Sequence, residues 1–150
     1  SLITGFLAAF CILSDAFASE PSKIQGLWLT EKKDVVIRIE SCEQSSLCGY
    51  ISWLAPDAPQ TDANNPDSDL RDRPLCGVKV LWGLEQNDHD PDFWQYGRIY
   101  KADEGKFFNA QLTLKDDETL KMRGYRGIPL FGKSFTLTRT NRKEYPVCTE

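Results

Sequence analysis

The sequence predicts an all-β fold, about eight short antiparallel strands closing into an up-and-down barrel. Three observations carry this reading. Apolar residues recur with period two almost everywhere after Lys23, the mark of strands with one face buried. The joints EKKD, ADEG, KDDE and GIPLFG carry turn chemistry, so neighbouring strands connect as hairpins. No amphipathic helix pattern competes with the strands over the same stretch, and small domains of many short strands close into barrels or sandwiches.

Each strand has its own pattern. The first run is IQGLWLT (24–30). VVIRIE (35–40) aligns Val35, Ile37 and Ile39 on one face. LCGYISW (47–53) sets Leu47, Gly49, Ile51 and Trp53 against Cys48, Tyr50 and Ser52. CGVKVLW (76–82) groups Val78, Val80 and Trp82. FWQYGRIY (93–100), KFFNAQLTL (106–114), TLKMRGY (119–125) and KSFTLTR (133–139) complete the set. An eight-stranded barrel is wide enough to be filled by side chains or to hold one small ligand. The residues expected to face such an interior are Trp28, Ile39, Ile51, Val80, Trp82, Tyr100 and Phe108, the candidate contacts for a small hydrophobic or amphipathic molecule.

The segment ahead of the strands reads as a targeting signal. Leu2 to Leu13 is an apolar run of about a dozen residues, too short to span a bilayer. It ends near Ala16-Phe17-Ala18, a small-x-small cleavage pattern. Residues 1–18 are therefore expected to be a signal peptide and residues 19–150 one barrel domain, periplasmic or secreted. Cysteine usage agrees. Of the 5 cysteines, removal of Cys11 leaves Cys42, Cys48, Cys76 and Cys148, an even number suited to disulfides in an exported chain. Three pairings exist. The short polar loop EQSSL between Cys42 and Cys48 favours a local bridge, leaving Cys76 with Cys148 to tie down the tail.

Charge and motifs exclude several classes. The net charge is −4, and an acidic surface lacks the basic patch that nucleic acid requires. No CxxC pair and a single histidine argue against a metal site. That histidine, His89, lies among Asp88, Asp90 and Asp92 in a turn-rich link. No phosphate-cradling glycine loop is present, so no cofactor is expected.

The polar segment DANNPDSDLRDRPLCG (62–77) calls for separate treatment. Asp67-Ser68-Asp69 begins like a calcium loop. Arg71, Asp72 and Val78 then occupy the fifth, sixth and twelfth positions, and the EF-hand pattern fails. An arginine near each carboxylate keeps it charged and weakens it as a general acid. With the thiols expected to be oxidised, no catalytic residue is assigned and the chain is not expected to be an enzyme. The structural reading is stronger. Arg71 and Arg73 can form forked bonds to Asp69, Asp72 or backbone carbonyls, locking residues 55–75 as a lid or rim over one barrel end.

Two further features suggest a family. Gly26-Leu27-Trp28 lies on the first strand and Arg139 ends the last. In lipocalin-like barrels, such a GxW places the tryptophan across the closed end and the arginine stacks on it. Beyond this, GLW (26–28), IRIESC (37–42), LCGYISWL (47–54), NNPDSDLRDRPLCG (64–77), WQYGRIY (94–100) and LKMRGYRGIPLFGKSFTLTR (120–139) stand in the order found in the bacterial secreted family known as domain of unknown function 2147, which the chain resembles. The resemblance implies a lipocalin-like, calycin-type barrel in the cell envelope and no established activity. Cys76 and the Cys148 tail depart from the family pattern together, which supports a bridge between them. The function expected is binding of a small apolar ligand without chemistry. The alternative is an envelope protein-interaction or hydrolase-inhibitor module using the 62–77 or 127–131 loop.

Overall fold

The computed structural model describes residues 1–3, 5 and 22–149. The expected signal peptide therefore lies almost wholly outside the described residues. Eight strands form: β1 Gly26–Leu29, β2 Val35–Ser41, β3 Leu47–Leu54, β4 Lys79–Gln86, β5 Phe93–Lys101, β6 Lys106–Asp116, β7 Thr119–Tyr125 and β8 Lys133–Thr140. Each pairs antiparallel with the next, and β1 pairs with β8, so the sheet closes. Closure satisfies the ladders and leaves no edge strand among the eight.

Trp28 lies opposite Ile37 on β2 and Arg139 on β8. Reading the registers around the barrel from that layer places Ile39, Leu47, Gly49, Ile51, Leu81, Gly97, Ala110, Leu112, Leu120 and Leu137 on the inner face. Two glycines let large neighbours reach the axis. A Cβ at Gly49 would lie 2.9 Å from Ile37, and one at Gly97 would run into the Leu84 side chain.

Bulges break the sequence alternation at five places, two of which re-aim tryptophans. Val36 pairs with Trp53 while Ile37 pairs with Ile51, so Ser52 is an extra residue and Trp53 turns to the outer face. Gly49 pairs with Leu81 while Tyr50 pairs with Lys79, so Val80 is extra on β4. Leu81, rather than the expected Trp82, then faces inward. A bulge opposes two residues to one and re-aims the side chains beyond it, which strict period-two reading cannot anticipate.

A second apolar layer lies outside the barrel. Leu27, Leu29 and Val36 form a buried cluster capped by Trp53 and Tyr145, whose rings meet edge to face at 4.8 Å. The C-terminal tail is held over this layer by the Cys148 amide, which donates to the Ser52 carbonyl at 2.8 Å, and by the Cys76–Cys148 disulfide. Cys42 and Cys48 form the other bridge, around the β2–β3 loop. Both pairings are the expected ones.

Candidate functional site

The two ends of the barrel differ. At the end where β1 begins and β8 finishes, Trp28 is fully buried and its indole Nε1 donates to the Ile24 carbonyl at 2.8 Å. The Arg139 guanidinium lies 4.3 Å from the Trp28 ring centroid. It also donates to the carbonyls of Gln25 (2.9 Å), Asp117 (2.5 Å) and Lys23. Gly26 has φ 131°, and a Cβ there would meet Arg139 Nη1 at 2.7 Å. The glycine of the GxW triplet is thus needed twice, for its backbone and for the space the arginine occupies. Leu47, Leu84, Leu112, Leu120 and Leu137 are at most 2% exposed at or near this end. It is plugged.

The opposite end is less deeply buried. Its inward-facing residues Val35, Leu54, Ile99, Phe108 and Phe135 are all half-buried. Ile99 pairs with Phe108, Val35 with Leu54 and Phe135 with Met122. Gly124 faces inward at the same level, opposite Ala110 and Lys133, and the nearest atom to a Cβ there is 3.8 Å away. Two cations stand at this mouth. The Arg126 guanidinium lies 4.9 Å from the Phe108 ring centroid, and Lys133 is exposed across from Gly124. The arrangement is a rim of half-buried apolar side chains with positive charge beside it.

Among the expected interior residues, Trp28, Ile39 and Ile51 face inward and are buried, and Phe108 lines the mouth. Val80 is the buried bulge residue. Trp82 and Tyr100 are corrections. Trp82 pairs with Arg98 and Tyr100 with Phe107, one residue out of phase with the inward pair Leu81–Ile99. Both aromatics belong to the outer wall, where Phe107 packs on Tyr100 at 4.8 Å and on Trp82 at 6.3 Å.

The 55–75 segment explains why Tyr100 is nevertheless only 4% exposed. Fully buried Asp62 accepts from the Tyr100 hydroxyl (2.5 Å), the Asn65 amide (2.7 Å) and Arg73 Nε (2.8 Å). Burial, together with the Asp62 hydrogen bond and charge, pushes the Tyr100 hydroxyl up to about 12. Arg71 Nε donates to the Asn65 carbonyl at 2.8 Å, and the Asn64 amide donates to the Asp103 carbonyl at 2.9 Å. The segment expected as a lid or rim is thus anchored to the outer wall at the rim. Arginine–aspartate locking occurs, but through Asp62. Asp69 and Asp72 are exposed, and the Asp69 amide donates to Asp67. Sequence reasoning missed Asp62 because the stretch holds several equivalent aspartates, and only the fold selects which one meets Tyr100. His89 is exposed in the β4–β5 turn, its amide donating to Asn87 Oδ1.

Two surface depressions are also found. One, of about 190 Å³, includes Arg38, Tyr50, Gly77 and the Cys76–Cys148 bridge, and the other, of about 290 Å³, lies between the β2–β3 loop and Gly83. Neither contains the mouth residues.

Comparison with known proteins places the chain. A family model described as "Uncharacterized protein conserved in bacteria (DUF2147)" matches residues 26–139. Among solved structures, protein HP1028 from the human pathogen Helicobacter pylori, described as belonging to the lipocalin family, is similar in fold. The TM-score is 0.69 at 20% identity, covering 80% of this chain and 84% of that one. No curated protein sequence matches.

Proposed function

The chain belongs to the DUF2147 family of uncharacterized bacterial proteins, and on that premise we propose that it is a non-catalytic carrier or sensor of a small amphipathic anion. The lipocalin-like barrel supports ligand binding in general. The finer reading rests on one observation, the gradient from a plugged end at fully buried Trp28 to half-buried apolar residues Ile99, Phe108 and Phe135 at the other end. A molecule with an acyl chain and an anionic head would place its chain along these residues and its head near Arg126 and Lys133. Burying about six methylenes contributes about 5 kcal/mol before ordering costs. Two disulfides support an oxidising compartment such as the periplasm.

Native mass spectrometry with added medium-chain fatty acids tests the proposal. The expected result is a one-to-one adduct that disappears in Gly124→Leu, which fills the mouth at a position of ordinary backbone geometry. Arg126→Gln should weaken it about 5-fold, the loss of one exposed charge contact of about 1 kcal/mol. Absence of an adduct at every chain length, or an adduct unaffected by Gly124→Leu, would overturn it.

A further inference from the structure

The β7–β8 connection presents apolar side chains to solvent. Ile128 is 52% exposed, Leu130 76% and Phe131 77%. The loop is nonetheless held in place. Arg123 on β7 donates through Nε to the Pro129 carbonyl at 2.8 Å, through Nη2 to the Leu130 carbonyl at 3.3 Å and through Nη1 to Ser134 Oγ at 2.8 Å. Gly132 seats the loop on the strand, since a Cβ there would lie 2.6 Å from the Gly124 carbonyl oxygen. With the backbone turned inward to Arg123, the apolar side chains point away from the protein. Nothing among the described residues accounts for their exposure, and an ordered exposed apolar patch marks a contact surface.

The charge around the tip identifies the partner. In a chain of net charge −4, residues 123–135 around the tip hold three cations, Arg123, Arg126 and Lys133, and no Asp or Glu. Arg126 and Lys133 flank the tip and are exposed, and Lys106 is exposed at the start of the neighbouring β6. Glu31 of the β1–β2 turn reaches β8, where its carboxylate accepts from the Thr136 amide; the other acids at this end are set apart from the tip. Asp103 and Glu104 bind Lys101, and the carboxylates of residues 57–72 belong to the anchored segment on the β3–β5 side. Apolar side chains inserting at a headgroup boundary, ringed by lysine and arginine, match an anionic lipid surface.

We propose that the Ile128–Phe131 tip docks the protein on an anionic phospholipid leaflet, with Leu130 and Phe131 entering the interface and Arg126, Lys133 and Lys106 contacting headgroup phosphates. This stands whether or not the mouth holds a ligand. It would place that mouth, whose lip carries the same Arg126 and Lys133, against the membrane.

Vesicle flotation tests it, comparing vesicles of phosphatidylcholine alone with vesicles containing a quarter phosphatidylglycerol. The protein is expected to float with the anionic vesicles, less so as salt rises. Leu130→Ser with Phe131→Ser should lower the partition coefficient at least 10-fold. Arg126→Gln with Lys133→Gln should lower it roughly 30-fold on anionic vesicles only, at about 1 kcal/mol per cation. Phe131→Trp, which keeps an apolar tip, gives an independent reading. Its emission in excess of the parent protein's should shift to the blue on anionic vesicles and be quenched by brominated lipid. Failure to float with anionic vesicles, or flotation unchanged by the serine pair, overturns the proposal. So does an excess emission of the Phe131→Trp variant that is indifferent to the vesicles. The first of these is the result expected if the tip instead serves a protein partner. Fatty-acid adducts in native mass spectrometry are a separate readout, so either proposal can fail alone.

Discussion

Asp62 and Tyr100 show how one buried carboxylate organises a segment. Asp62 is fully buried and takes three hydrogen bonds, from Tyr100, Asn65 and Arg73, which compensates the cost of removing its charge from water. The Tyr100 hydroxyl lies at about 12, against 10.0 for the ordinary group. A raised folded-state value means that the folded chain holds its proton while the unfolded chain releases it. The contribution is complete below pH 10 and is lost as pH rises through 12. Stability to urea should fall across this window by up to about 3 kcal/mol, the worth of a two-unit shift. Tyr100→Phe should be about 2 kcal/mol less stable at pH 8, because Asp62 loses a donor. Its decline between pH 10 and 12 should be correspondingly shallower. Parallel slopes for the two proteins would remove Tyr100 as the cause.

Element-scale patterning accounts for most of what was legible. Turn chemistry and period-two hydrophobicity located all eight strands, because those signals act over a few residues. Inward and outward assignments held on β2, where Val35, Ile37 and Ile39 share the interior face. They failed where Ser52 and Val80 interrupt the ladder, reversing Trp53 and Trp82. The tail is a further element that local pattern leaves undecided. It becomes ordered by packing Tyr145 on Trp53 and by the Cys76–Cys148 bridge, whose partners are separated by 72 residues. Closing a loop of that length restricts the unfolded chain, so Cys76→Ser with Cys148→Ser should cost about 3 to 4 kcal/mol. Urea denaturation measures the loss. Trypsin should then cleave the tail at Arg142 and Lys143 before the barrel, since the Tyr145–Trp53 contact and the Cys148–Ser52 hydrogen bond hold it less firmly than the covalent bridge. Equal stability with and without the bridge would mean that packing alone fixes the tail.

At the scale of the whole molecule, Arg139 closes the barrel at the plugged end. It joins the last strand to the carbonyls of Lys23 and Gln25 before the first, and to Asp117 in the β6–β7 turn, while stacking on Trp28. Arg139→Ala should cost about 2 kcal/mol from the stacking and hydrogen bonds together. Arg139→Lys should recover only part of this, because a lysine lacks the planar fork that reaches several carbonyls at once. A lysine variant as stable as the parent would reduce the role to charge alone. With this end shut, the less buried apolar residues lie at the end that Phe108 and Arg126 flank. The exposed Ile128–Phe131 tip lies at that same end.

While the GxW–arginine plug was implied by the resemblance to lipocalin-like barrels, the sequence by itself determined the strand set and the barrel and favoured both disulfide pairings. These follow from short-range chemistry: alternation, turn residues, and cysteines placed around a tight loop and in a tail. Only the tertiary structure decided which aromatics face inward, which aspartate is buried, and that the polar segment is anchored to the wall through Asp62 and Tyr100. It also brought Arg126, Lys133, Phe108 and Gly124 together at one end. Such choices depend on bulges and on contacts across long chain separations. Residues that look equivalent in sequence become distinct only when one of them loses its water.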